Sequence, residues 1–201
     1  IEAFLQISEI VGEEHIGWRY DPIFIDDKYI VKYHLEQFEG ISAALQGYTK
    51  NCVISFLDLY QKVKRNFPEV KMVSKEQRKY LGERMTRIAT EHKMILRPCG
   101  EGTELAAFGA DCNGCMTQQI YENAIHMSLD MPKKQFLRKE CACYLGNDIG
   151  AYNSCPHMCK YCYANYDEKS VRLNRINHNP KSAFLIGDDM PNDKVHKAVQ
   201  K

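Results

Sequence analysis

The feature that most narrows the fold is an alternation of two hydrophobic periods across the first half of the chain. Between Ile1 and Pro98, stretches whose apolar residues recur every three or four positions take turns with short β-branched or aromatic runs. Ile1 to about Glu14 reads as a core-packing helix with Ala3, Phe4, Ile7, Ile10 and Val11 as its stripe, and Gly12 near its end. His15 to Ile25 reads as a strand carrying Trp18 and Tyr20. Asp21-Pro22 is expected to end it, because proline cannot continue a central ladder. A helix over Lys32 to Leu45 follows, with Gly47 as its stop; His34 on it is a surface or packing residue rather than a ligand. Asn51 to Tyr60 is continuously apolar, which suits a strand buried on both faces, with Cys52 as core filler. Gln61 to Val73 is a polar, basic connection, either solvated or a contact for an anionic substrate. Ser74 and Gln77 form a capping-box pair that opens a helix ending near His92. Met94 to Pro98 is a third strand. Crossovers of helix length join parallel strands, so the pattern predicts an α/β fold with a parallel sheet.

In such sheets, sites gather where strands end. Arg19 and Asp21 fall at the end of the first strand, Asp58 at the end of the second, and Cys99 and Glu101 just beyond the third. Each has a plainer reading: Arg19 and Asp21 as an ion pair that shapes the turn, Asp58 as a cap for the next segment.

After Cys99 the pattern changes. Gly100, Gly102, Gly109 and Gly114 mark loops, and Met116 to Ile125 reads as a short helix. Asp148 to Asn153 is a candidate fourth strand, Asp167 to Arg175 a helix, and the tail from Asn177 is polar and turn-rich. The chain therefore divides into βα units over 1–98, a cysteine-rich insertion over 99–147 and a last strand, loop, helix and tail over 148–201, all within one structural domain.

Nine cysteines must be accounted for. Cys155, Cys159 and Cys162 stand in the spacing C-x3-C-x2-C. Thiolates this close repel one another, and a soft metal centre is the usual compensation. Three thiolates fill three corners of a four-iron cluster and leave one iron open. The same thiols could instead bind zinc with His157, or with Cys141 and Cys143. Cys99, Cys112, Cys115, Cys141 and Cys143 remain; Cys112-Asn-Gly-Cys115 is a C-x2-C pair and Cys141-Ala-Cys143 a C-x-C pair. They are candidates for a second iron–sulfur or zinc site, or else Cys141 and Cys143 line the first cluster and the others are free thiols.

Composition bounds the rest. The chain has 201 residues, 44% hydrophobic, and a formal charge of +1. That is one domain with a sizeable core and no global nucleic-acid footprint. No run of about 18 apolar residues predicts a membrane span. No signal peptide opens the sequence, and so many cysteines in a large charged chain argue for metal in a reducing, cytoplasmic setting. Ile1 begins inside an amphipathic pattern, so the sequence is expected to be part of a longer chain.

The stretch Cys155-Pro-His-Met-Cys159-Lys-Tyr-Cys162-Tyr-Ala resembles the cluster loop of the radical S-adenosylmethionine (SAM) enzymes, which carry an aromatic residue before the last cysteine, here Tyr161. Further phrases resemble an uncharacterised bacterial family classed only as a domain of unknown function and similar to the spore photoproduct lyase branch. They are Trp18-Arg-Tyr-Asp-Pro-Ile, Val53-Ile-Ser-Phe-Leu-Asp-Leu-Tyr, Cys99-Gly-Glu101, Cys141-Ala-Cys143 and D-I-G-A-Y-N-S-C. The resemblance implies a partial (β/α) barrel of the TIM-barrel type, with its cluster loop late in the chain, as in a circular permutation lacking its N-terminal part. It implies that Cys155, Cys159 and Cys162 hold a 4Fe-4S cluster and that Tyr161 lies beside the adenine of SAM. It implies reductive cleavage of SAM, hydrogen abstraction from a substrate, and an electron donor such as flavodoxin or ferredoxin. Arg19, Asp21, Asp58 and Glu101 are the candidates for SAM or substrate contacts. A zinc-binding structural module and an iron–sulfur electron-transfer protein are the competing readings; neither membrane nor nucleic acid is expected as a partner.

Overall fold

The computed structural model describes residues 1–130, 143 and 150–194. Contacts divide the chain into two compact units, one of Ile1–Leu59 with Glu69–Gly146 and one of Tyr60–Pro68 with Asn147–Lys201.

The first unit is built on three parallel strands in the order β1-β2-β3: β1 Gly17–Ile23, β2 Asn51–Phe56 and β3 Ile95–Pro98. The expected α/β character and parallel pairing are present, as an open three-stranded sheet. Gly17 pairs with Asn51 and Asn51 with Ile95, so the strands start level. β2 is central, which is why Cys52, Val53 and Ile54 are all buried in succession.

Two features of β1 differ from expectation. The strand runs through Pro22 to Ile23, and its register with β2 shifts between Tyr20 and Ile23. Among the described residues β1 pairs only with β2, and a proline is tolerated at such an edge or irregularity because no ladder donor is missed.

Helix α1 spans Glu2–Val11, α2 Val31–Leu45 and α4 Lys75–Glu91; α3, Gln61–Asn66, belongs to the second unit. α2 and α4 are the two crossovers and pack against each other. The capping box is present: Ser74 Oγ accepts from Gln77 N at 3.2 Å, and the Gln77 side chain accepts from Ser74 N at 3.2 Å. Leu81, Met85 and Ala89 from α4 meet Trp18, Phe38, Ile54 and Leu96 in one core, while Tyr80 is exposed. On α1 the core side is Phe4, Leu5 and Ser8, whose Oγ donates to Tyr48 O at 2.5 Å; Ile7 and Ile10 are exposed.

His34 is buried as a packing residue. Its Nε2 contacts Phe24 O at 2.7 Å and its Nδ1 the Tyr20 hydroxyl at 2.9 Å. A carbonyl only accepts, so Nε2 carries the hydrogen and Nδ1 accepts from Tyr20.

Beyond β3 a short 3-10 turn, Glu104–Phe108, precedes helix α5, Gln118–Ile125. Gly82 on α4 lets that turn approach: a Cβ there would stand 2.5 Å from two carbons of Leu105.

The second unit holds α3, the cysteine loop and helix α6, Glu168–Ile176, whose N-cap Asp167 accepts from Ser170 N at 2.7 Å. Val63, Phe67 and Val171 are buried. The expected fourth strand over 148–153 differs: residues 150–153 form an open stretch and a turn, with Asn153 at φ +57°, and 148–149 lie outside the described residues.

Candidate functional site

Because β1, β2 and β3 are parallel, their C-terminal ends open on one edge. There Asp21 Oδ2 accepts from Arg19 Nε at 2.9 Å and Nη2 at 2.6 Å, and from Ser55 Oγ at 3.4 Å. The free edge of the guanidinium turns toward sulfur: Arg19 Nη1 is 3.9 Å from Cys115 Sγ. Burial weighs against the Arg19 charge, but its bonds to Cys99 and Asp21 outweigh that and raise its pKa.

Three thiols meet beside this arginine. Cys115 Sγ and Cys143 Sγ are 3.2 Å apart, and the Cys115 N–H donates to Cys143 Sγ at 3.2 Å. Cys99 lies near enough to Cys115 and Arg19 that Cys115 first, and Arg19 next, push its thiol down to about 6 against the effect of burial. Cys115, bonded to Cys143 and Cys99, is pushed the other way.

Local folding explains the meeting. Cys99 N donates to Ile54 O at 2.8 Å, carrying the β3 ladder one residue further. The chain then returns past β3, with Asp111 N donating to Leu96 O at 2.9 Å. The Asp111 carboxylate accepts from Arg97 Nε at 3.1 Å and from Asn113 N at 3.0 Å. Gly114, at φ +119°, then reverses the backbone into Cys115. Cys112 is not brought to the other thiols by this turn; it packs against the core, and burial raises its thiol. Cys141 lies outside the described residues.

Glu101 is occupied with structure. Its Oε1 accepts from Phe56 N at 2.8 Å and its Oε2 from Arg78 Nη1 at 2.9 Å. Burial is the largest influence on it and raises its pKa; the charge of Asp58 adds to this while Phe56 and Arg78 oppose it. Asp58 itself is exposed after the end of β2.

In the second unit Cys155 is exposed while Cys159 and Cys162 are half-buried. Cys162 N donates to Cys159 O at 2.9 Å, closing the tight turn between them, with Tyr161 half-buried inside it. Cys159 and Cys162 line a hollow of about 360 Å³ together with Met158, Asn165 and Tyr166. Asn165 is buried; its Nδ2 donates to Cys155 O at 2.7 Å, and its Oδ1 is buried without a hydrogen-bond partner. Among the described residues no group of three or more His, Cys, Asp or Glu stands ready to hold a metal ion. An iron–sulfur cluster asks for separate thiolates, one to each iron. Cys155, Cys159 and Cys162 supply three such thiols on one loop, and two of them line the hollow beside Asn165.

Sequence reasoning missed three parts of these sites. Asn165 is a lone amide in a loop and carries no signal without its contacts. The pairing of Cys115 with Cys143 joins residues too distant for any spacing rule. A tyrosine group in the second unit has Tyr152 stacked on Tyr166 with centroids 5.6 Å apart. Lys62 Nζ lies 4.4 Å from the Tyr166 ring centre and donates to Tyr163 O at 3.3 Å. The density of tyrosines around Cys162 was the legible hint.

The parallel sheet and its thiol-lined edge, with a separate three-cysteine loop, define a cysteine-rich α/β protein. Its family is shown: the chain belongs to the family described as "Domain of unknown function (DUF1848)", which matches residues 1–164. The matched span includes all three strands and all three cysteines of the loop. No curated protein and no solved structure matches the chain. Among the described residues no helix is long and apolar enough to cross a membrane.

Proposed function

We propose that this protein is a radical SAM enzyme in which Cys155, Cys159 and Cys162 hold a four-iron cluster, and that it cleaves S-adenosylmethionine reductively to abstract hydrogen from a substrate. The supporting observation is the loop itself: C-x3-C-x2-C with Tyr161 before the last cysteine, two of whose cysteines line a hollow together with Asn165, whose Oδ1 is buried without a partner. A cluster bound by three thiolates supplies an iron with an open position and one electron to the sulfonium C–S bond.

The chain's own residues have defined parts in this reading. Asn165 Nδ2 holds the Cys155 carbonyl and so fixes the first ligand's backbone. Asn165 Oδ1 is left to accept an N–H from the ligand, and the amino group of SAM is such a donor. Tyr161 borders the adenine, and the exposed rings of Tyr163 and Tyr166 offer further flat apolar surface nearby in the loop. The three strands form part of a larger (β/α) barrel, with Arg19, Asp21, Asp58 and Glu101 at its strand-end edge. The electron comes from a donor of the flavodoxin or ferredoxin class in the cytoplasm.

Replacing Cys159 with Ala is expected to abolish SAM cleavage by anaerobically reconstituted protein while the chain remains folded by circular dichroism. Cleavage at the unaltered rate would contradict the assignment.

A further inference from the structure

The thiols at the sheet edge are not used by the proposed SAM chemistry, and they have an arrangement of their own. Cys115 and Cys143 come from segments 28 residues apart, yet their sulfurs lie 3.2 Å from each other. A disulfide bond is about 2.0 Å long, so roughly 1 Å of closure would join them. The Cys115 N–H points at Cys143 Sγ, and the Arg19 guanidinium stands beside Cys115 and Cys99. The guanidinium favours the thiolate form of Cys99. Cys143 is buried, whereas Cys99 and Cys115 are partly open to solvent.

We propose that Cys99, Cys115 and Cys143 form a thiol–disulfide exchange site that reduces a low-molecular-weight disulfide and closes a Cys115–Cys143 disulfide. The proposal is independent of the SAM reading. Cys99, the open thiol beside Arg19, attacks one sulfur of the incoming disulfide as a thiolate; a mixed disulfide forms and the first small thiolate leaves, taking a proton. Cys115 attacks Cys99 Sγ and expels the second small thiolate, which takes the Cys115 proton. Cys143 attacks Cys115 Sγ, forming the Cys115–Cys143 bond and returning Cys99 as a thiolate; the Cys143 proton passes to solvent and replaces the one that the first small thiolate took from it. In sum two protein thiols are oxidised to one disulfide, and one small disulfide is reduced to two thiols. Exposure leaves Cys143 as the thiol least open to the reagent, so it acts last. In a reducing setting such a bond is transient, as exchange requires.

The test treats the full chain, purified anaerobically, with oxidised glutathione. Remaining thiols are alkylated, and the chain is digested before aspartates and mapped by fragment mass spectrometry. The expected product is a linked peptide joining Cys115 to Cys143, with Cys52 and Cys112 alkylated. Cys99→Ser is expected to slow its formation about tenfold or more without changing which residues are linked. Absence of that peptide from the unaltered chain, or linkage of Cys115 to any residue other than Cys143 at the end point, would overturn the proposal. So would a tightly held metal that protects these thiols from glutathione and is lost on Cys115→Ser. Mapping the unaltered chain needs no variant, so a misfolded mutant cannot blur the result.

Discussion

Glu101 joins the end of β2 to helix α4: one carboxylate oxygen accepts from Phe56 N at 2.8 Å and the other from Arg78 Nη1 at 2.9 Å. A residue placed at a strand-end edge thus spends both its oxygens on the scaffold. Glu101→Ala leaves a backbone N–H and a guanidinium without their partner. The expected cost is about 1–3 kcal/mol of stability. Urea unfolding measures it; an unchanged midpoint would show that the contact contributes nothing.

Burial lowers the pKa of His34, whose neutral ring accepts from Tyr20 and donates to Phe24 O. The unfolded chain therefore takes up a proton before the folded one does. Stability is full above the ordinary histidine value of about 6.5 and falls as pH drops below it, until the folded ring also protonates. Unfolding midpoints followed from about pH 7.5 to 5 should show this decline, and His34→Gln should flatten it. An identical decline in the variant would assign the effect to other groups.

Gly82→Ala tests the packing of α4 on the turn at Glu104–Phe108. The added Cβ would meet buried Leu105 at 2.5 Å, so either the leucine or the helix must move. Overpacking of this kind costs about 1–3 kcal/mol, although alanine favours the helix by up to about 1 kcal/mol. A net loss of thermal stability is expected; a gain would mean that Leu105 rotates away freely.

Asn165→Ala removes the unpartnered Oδ1 and the tie to Cys155 O together. SAM affinity measured by equilibrium dialysis on reconstituted protein should fall roughly tenfold, about the worth of one good hydrogen bond. Iron content should persist, since the thiols remain. Unaltered affinity would remove Asn165 from the ligand's contacts.

Much of the scaffold is legible from local pattern. β2 is apolar on consecutive positions because it is the central strand, and α4 announces itself through Ser74 and Gln77. Where the pattern misleads, tertiary context decides. Pro22 does not stop β1, because β1 is at an edge and shifts register there. Ile7 and Ile10 satisfy a helical period, yet Phe4 and Leu5 face the core. The run Asp148–Asn153 resembles a strand, but its described part turns at Asn153, whose Oδ1 accepts from Tyr166 N at 2.5 Å. For the sites, Cys155, Cys159 and Cys162 are legible as a local spacing. Cys99, Cys115 and Cys143 are legible only as members of a group of five candidate thiols; which of the five meet is not, because it depends on Asp111 anchoring a return along β3 and on Gly114 reversing the chain.

Electron paramagnetic resonance on anaerobically reconstituted, reduced protein, with and without SAM, tests the radical SAM reading most directly. The reading predicts a reduced four-iron signal that changes when SAM is added, because SAM occupies the iron that Cys155, Cys159 and Cys162 leave open. A four-iron signal indifferent to SAM, or zinc bound in place of iron, would contradict it.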